Sequence, residues 1–209
     1  MNIKHRFIGL FLRQKSKQEC HKFLSKWSTY YTGLSESNKK SFVVRTLLFL
    51  YTTDFDAKEG FELTLEMKLV ICSAFVQITF GLRQDVLNIF NEVFVTPTSY
   101  SYTGRAIFFD GDVNLFTQRV NLSWPAVEKG FVITDDHCLI IENAKRSYLS
   151  RTFNESDLNT WKALAIKKIP AVKAGDYKIF REYGGTNLME LFSITIETFF
   201  EQPHEFYSY

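Results

Sequence analysis

The sequence predicts an α+β fold, mostly helical, with one small β-sheet, and three observations carry that expectation. Apolar side chains recur three and four apart in several long stretches, opened by Ser, Thr or Asn and closed near Gly or Pro. Between Val93 and Trp124 the pattern changes to short β-rich runs punctuated by Gly, Pro, Asp and Asn. A chain of 209 residues that is 45% hydrophobic, with 21 Phe and 10 Tyr, can bury one substantial core, so a single domain over 1–209 is expected, with 1–34 as a helical N-terminal extension.

The first helix is expected over Lys17 to Tyr31, from Phe23, Leu24, Trp27, Tyr30 and Tyr31, with Gly33 in the turn that closes it. Ser35 or Ser37 caps the next, whose buried face is Phe42, Val43, Leu47, Leu48 and Leu50, through about Tyr51. Thr64 caps a third that runs by Leu69, Val70, Ile71, Ala74, Phe75 and Ile78 to Gly81, apolar on most sides and therefore central. Val93 to Val95, Ala106 to Phe109 and Val120 to Trp124 read as strands of a sheet of three or so. Asp110-Gly111-Asp112 reads as a hairpin turn; it lacks the further acidic positions of a calcium loop. Asn154 caps a helix through Leu158, Trp161, Leu164 and Ile166 that is expected to stop at Pro170, and Ala171 to Lys178 forms a polar connection. A Gly184-Gly185 turn and a cap at Thr186 or Asn187 then open a last helix that ends before Pro203.

Composition excludes several classes of function. A net charge of +2 gives no electrostatic footprint for nucleic acid and no polybasic membrane patch. Cys20, Cys72 and Cys138 are odd in number and lack CxxC spacing, which fits a reducing compartment. The apolar run Ile8 to Leu12 is too short for a signal peptide and ends at Arg13 without a cleavage site, and no run is long enough to span a bilayer. The cytoplasm is the expected location.

On the last helix Glu190, Ile194 and Glu197 fall at i, i+4 and i+7, so two carboxylates share a face with an apolar side chain. Such carboxylates need a metal, a cationic side chain or a hydrogen-bond network; a helix that merely carries two glutamates at its rim is the plainer alternative. The run Tyr183-Gly184-Gly185-Thr186-Asn187, then Glu190-Leu191-Phe192 and Glu197-Thr198-Phe199-Phe200-Glu201-Gln202-Pro203, resembles the C-terminal signature of the MtfA-like (DgsA anti-repressor) family of zinc peptidases. Phe42-x-x-Arg45 resembles the motif opening that family's domain, although a core helix with Arg45 in a surface ion pair is equally compatible. Phe61-Glu62-Leu63-Thr64 and Ala74-Phe75-Val76-Gln77 resemble its core helix, and the likeness runs from about Phe42 to Phe206.

The resemblance implies a zincin-like metallopeptidase scaffold, related to the catalytic domain of anthrax lethal factor, and a zinc cofactor. It makes Glu190 the third zinc ligand and Tyr183 a catalytic assistant. Leu122-Ser123-Trp124 resembles the family's edge strand beside the substrate cleft, where an extended peptide pairs with free amides. In enterobacteria the family's partner is the transcriptional repressor DgsA, which implies a protein or peptide partner here. The family pattern continues past Phe206 through another turn and a closing helix, so the C-terminus reads as short.

The rest of the zinc site is missing. A zinc peptidase carries His-Glu-x-x-His on one helix, two imidazoles on one face for the metal and a glutamate to take a proton from its water. No such motif occurs. Either Ile141-Glu142-Asn143-Ala144-Lys145 stands in its place, keeping Glu142 as the catalytic glutamate and replacing both ligands, or the ligand helix has been deleted between Asp136 and Leu139. In the first alignment Lys145 is placed to pair with Glu190. His137 and Cys138, with Glu190, offer three donors of acceptable type, but adjacent residues point in different directions, and a Cys138 nucleophile would need its base across space. His5, His21 and His204 have no ligand spacing around them. Three readings stay open: a pseudoenzyme that binds or regulates and holds no zinc, an active peptidase with atypical ligands, and a degenerate gene product without function.

Overall fold

A computed structural model describes residues 12–81, 92–102, 104, 106–114, 116–132 and 154–208. The chain divides into two compact units, Met1–Phe131 and Val132–Tyr209.

The first unit opens with α1 (Gln14–Trp27), α2 (Thr29–Thr32) and α3 (Glu36–Thr52), followed by β1 (Asp54–Ala57) and α4 (Leu65–Thr79). One continuous helix was expected to reach Tyr31. Instead the chain breaks at Ser28, which is extended and whose hydroxyl accepts from the Tyr31 amide, so it caps a new short helix. Ser35 and Thr64 cap α3 and α4 as their spacing implies, accepting from Asn38 and Met67 amides. Leu24, Tyr31, Phe42 and Ile71 are fully buried, and aromatic edges knit the helices, Tyr31 to Phe42 at 5.5 Å and Phe42 to Phe80 at 5.2 Å. Arg45 turns inward, half-buried, and donates to the carbonyls of Phe80 and Thr79 and to the Thr79 hydroxyl at 3.0–3.1 Å. It satisfies acceptors that the end of α4 would otherwise leave open.

The sheet has four strands in the order β1-β2-β4-β3, with β2 (Glu92–Thr96), β3 (Gly111–Asn114) and β4 (Arg119–Ser123). β1 with β2 and β2 with β4 run parallel, whereas β3 with β4 is antiparallel. Alternation buries Val93, Val95, Val113, Val120 and Leu122 on one face and leaves Glu92, Phe94, Asp112, Arg119 and Asn121 on the other. Lys68 of α4 reaches over the Phe55 ring, which shares the Val93 side of the sheet.

Two strand expectations are corrected. Of Ala106 to Phe109 only Phe109 pairs, in an isolated bridge with Tyr100, and Ile107 and Phe108 stay exposed. The strand lies further on, at Gly111–Asn114, where a hairpin turn was expected. Asp112 is a poor strand former, but here its carboxylate accepts from the Tyr100 and Tyr102 hydroxyls and the Asn121 amide, which offsets that cost. Asn114 holds the true turn: its Oδ1 accepts from Phe116 and Thr117 amides, and Gln118 takes φ 55°.

The edge-strand placement of Leu122, Ser123 and Trp124 is corrected as well. β4 is an interior strand, with Leu122 paired to Val95 on one side and Gly111 on the other. The Ser123 amide donates to Asp110, and Trp124 begins α5 (Trp124–Val132). Among the described residues the sheet edges are β1 and β3.

The second unit holds α6 (Glu155–Lys173), a 3-10 turn (Glu182–Thr186), α7 (Leu188–Glu201) and α8 (Pro203–Phe206). Asn154 caps α6 as expected, accepting from the Asp157 amide. The helix does not stop at Pro170. A proline withholds its own amide and crowds the carbonyl four residues back, yet here the chain stays helical through it to Lys173. There Gly175, at φ 77°, closes it with paired bonds from Gly175 to Val172 and Asp176 to Ala171. Among the described residues no helix is long and apolar enough to cross a membrane.

Candidate functional site

The second unit places its carboxylates by packing α7 against α6 and the 3-10 turn. Phe192 joins Leu158 and meets Trp161 edge-on at 5.2 Å, while Leu191 joins Ala165 and Val172. Ile194 is buried against Gly184, where an added Cβ would sit 2.6 Å from its Cδ1. Gly185 is tighter still, with its notional Cβ 2.4–2.5 Å from the Lys173 backbone and Cβ. The Gly-Gly pair is therefore a close approach of three segments: at Gly185 space requires glycine, whereas at Gly184 the tip of the Ile194 side chain can give way.

Asn187 caps α7 by accepting from the Met189 and Glu190 amides, at 2.9 and 3.1 Å. That fixes Glu190 in the first turn, half-buried, where the helix dipole favours a negative charge. Glu197, seven residues on and about 10 Å along the axis, is 10% exposed and meets Arg181 Nη2 at 3.4 Å. The Arg181 guanidinium also lies 6.0 Å from the centre of the Tyr183 ring, which is 38% exposed. Of the three partners that such carboxylates can take, Glu197 has a cation. Arg181 was missed in the sequence; the one signal available was a lone arginine two residues ahead of Tyr183.

Glu190 and Tyr183 thus sit in one unit, at opposite ends of the Gly-Gly turn and its cap. Leu122 and Ser123 belong to the first unit and are buried, so neither presents itself at the surface. His137, Cys138, Ile141, Glu142 and Lys145, with the Lys145–Glu190 pair they suggested, lie outside the described residues.

A helical majority and a small mixed sheet with one antiparallel edge make an α+β fold, and a zincin-like metallopeptidase scaffold is the one its family carries. The chain belongs to the family described as glucose-regulated metallo-peptidase M90, whose sequence model matches residues 3–209. No curated protein matches it.

The family implies zinc, and the donors that can be described do not fit it. Among the described residues no three His, Cys, Asp or Glu side chains come together. His21 shares its Nδ1 with the Tyr31 hydroxyl at 2.6 Å, in the first unit. His204 lies beyond the far end of α7, and the helix rises about 16 Å from Glu190 to Glu201 alone. Across the whole sequence no two of the four histidines are four residues apart, so the helical pair of imidazoles that a metallopeptidase zinc uses cannot form.

Proposed function

We propose that this chain is a pseudoenzyme of the metallopeptidase family, a cytoplasmic binding or regulatory module that engages a protein or peptide partner without hydrolysing it. One observation carries the reading: Glu190 keeps its place in the first turn of α7, its amide bound by the Asn187 cap, while the sequence supplies no imidazole pair to share a zinc with it. Zinc in a peptidase lowers the pKa of a bound water and polarises the scissile carbonyl. Without it a glutamate has no such water to deprotonate, and the scaffold retains only its surface. A repressor of the DgsA type is the partner class the family suggests.

The test joins metal content to activity in the purified, tag-free chain. After equilibration with zinc and removal of loosely held metal, the expected result is well under one zinc per chain, with no chelator-sensitive hydrolysis of casein. Binding to a purified DgsA-type repressor is expected to be the same for wild type and Glu190→Gln, with or without chelator. Near-stoichiometric zinc that Glu190→Gln abolishes, together with hydrolysis lost in the same variant, would overturn the proposal and establish an atypical ligand set. A chain that neither holds zinc nor binds the repressor would leave the regulatory role without its partner class.

A further inference from the structure

The polar face of the sheet in the first unit carries an open cleft of about 730 Å³, within the range of small-molecule sites. Phe94, Arg119 and Asn121 contribute from the two central strands, and Tyr100, Tyr102 and Phe108 from the connection ahead of β3. A continuous set of contacts holds these groups in place. Arg119 lies 4.1 Å from the centre of the Phe94 ring, its Nη1 3.2 Å from Glu92 and its Nε donating to Asn121 Oδ1 at 3.0 Å. The Asn121 amide donates in turn to Asp112 Oδ1 at 3.0 Å, and Asp112 Oδ2 accepts from Tyr100 and Tyr102 at 2.6 Å each. Tyr102 is thereby pinned at its hydroxyl while the residue stays 45% exposed, and Phe108 is 71% exposed.

We propose that this cleft binds a neutral, hydroxyl-rich ligand, a short saccharide. Its lining is rich in hydroxyls and amides, groups that both donate and accept, set among aromatic rings. That combination suits a ring whose edges carry hydroxyls and whose faces carry C–H groups. Other ligand classes match it less well. An extended peptide gains most from pairing with an open strand edge, and β2 and β4, which form the floor, are each paired on both sides. A phosphate or carboxylate needs a concentration of uncompensated positive charge; Arg119 is matched by Glu92, which leaves Lys58 alone to meet an anion among the described lining residues.

The full-length chain, isotopically labelled, is titrated with maltose, cellobiose and N,N′-diacetylchitobiose to about 50 mM, enough to reveal millimolar affinity. The expected result is saturable shifts of amides in β2, β4, Thr98 to Tyr102 and Phe108 with at least one sugar. Phe108→Ala removes an exposed ring, so its thermal midpoint should match wild type while the affinity falls about tenfold, the scale of one aromatic contact. Tyr102→Phe, which keeps the ring and loses the pin to Asp112, should weaken binding less than Phe108→Ala. No saturation with any of the three sugars would overturn the proposal. So would saturation undiminished by Phe108→Ala and by Tyr102→Ala, or saturation by ATP or an extended peptide in place of a sugar.

Discussion

Arg45 shows how much one side chain can carry. A helix leaves its last carbonyls without partners, and when its end is buried those acceptors must be met from elsewhere. Thr79 is 1% exposed, and the Arg45 fork reaches its carbonyl, its hydroxyl and the Phe80 carbonyl at once. Hydrogen bonds that involve a charged group contribute about 1.5–3 kcal/mol, so Arg45→Ala should cost about 2–3 kcal/mol, read from the urea midpoint. Arg45→Lys should recover only a minor part, because an ammonium cannot serve three acceptors in a planar fork. An unchanged midpoint in Arg45→Ala would show that water replaces the guanidinium at no loss. Lys39 with Glu36 makes a contact just as short, 3.0 Å, yet that carboxylate is solvated and its pair stabilises far less. Burial of the acceptors decides the ranking, and distance does not.

At the scale of elements, the glycines of the second unit separate two kinds of need. Gly175 is at φ 77°, and any other residue there is strained by about 1 kcal/mol while the α6 terminus stays in place. Gly185 has an ordinary backbone but no room: its added Cβ would meet Lys173 backbone atoms that cannot swing aside. Gly185→Ala should therefore cost about 2–3 kcal/mol or more, the range for overpacking against fixed atoms, and exceed Gly175→Ala in urea melts; the reverse order would mean that the turn shifts freely off α6. Four helix starts were legible in the sequence because their causes are local, whereas the break at Ser28 and the continuation past Pro170 were misread. Ser35, Thr64, Asn154 and Asn187 each bond an amide two or three residues on. Two further misses depend on distant residues: the Asp112 strand is held by Tyr100 and Tyr102, and Glu197 draws its cation from a position 16 residues away. In the candidate site the shared face of Glu190 and Glu197 follows from helical period alone, whereas the choice of Arg181 as partner does not.

For the whole molecule, the first unit concentrates weak acids that burial keeps neutral. Cys20 is pushed from an ordinary 9.0 to about 12 and Cys72 well above 9.0, in both cases chiefly by burial. Tyr31 and Tyr102 are raised from 10.0 to about 12 and Tyr100 further, again by burial first; for the last two the bond to Asp112 comes next. A folded-state pKa above the unfolded value means that the unfolded chain gives up its proton first. Stability from these groups is then complete below the unfolded pKa and is lost as pH rises through the folded one. The urea midpoint should be level up to about pH 9, begin to fall as the thiols of the unfolded chain ionise, and fall most steeply from pH 10 to 12 as the tyrosines join. Tyr100→Phe keeps the ring and removes one titrating group, so its alkaline slope should be shallower by at most about 1.4 kcal/mol per pH unit. Asp112 keeps Tyr102 and Asn121 in that variant, which leaves the rest of the network as a control on its folding. A midpoint that holds steady to pH 12 in the wild type would mean that these hydroxyls and thiols ionise in place. The polar face of the sheet would then be wetter than its hydrogen bonds imply, and the cleft would be a less preorganised binding surface.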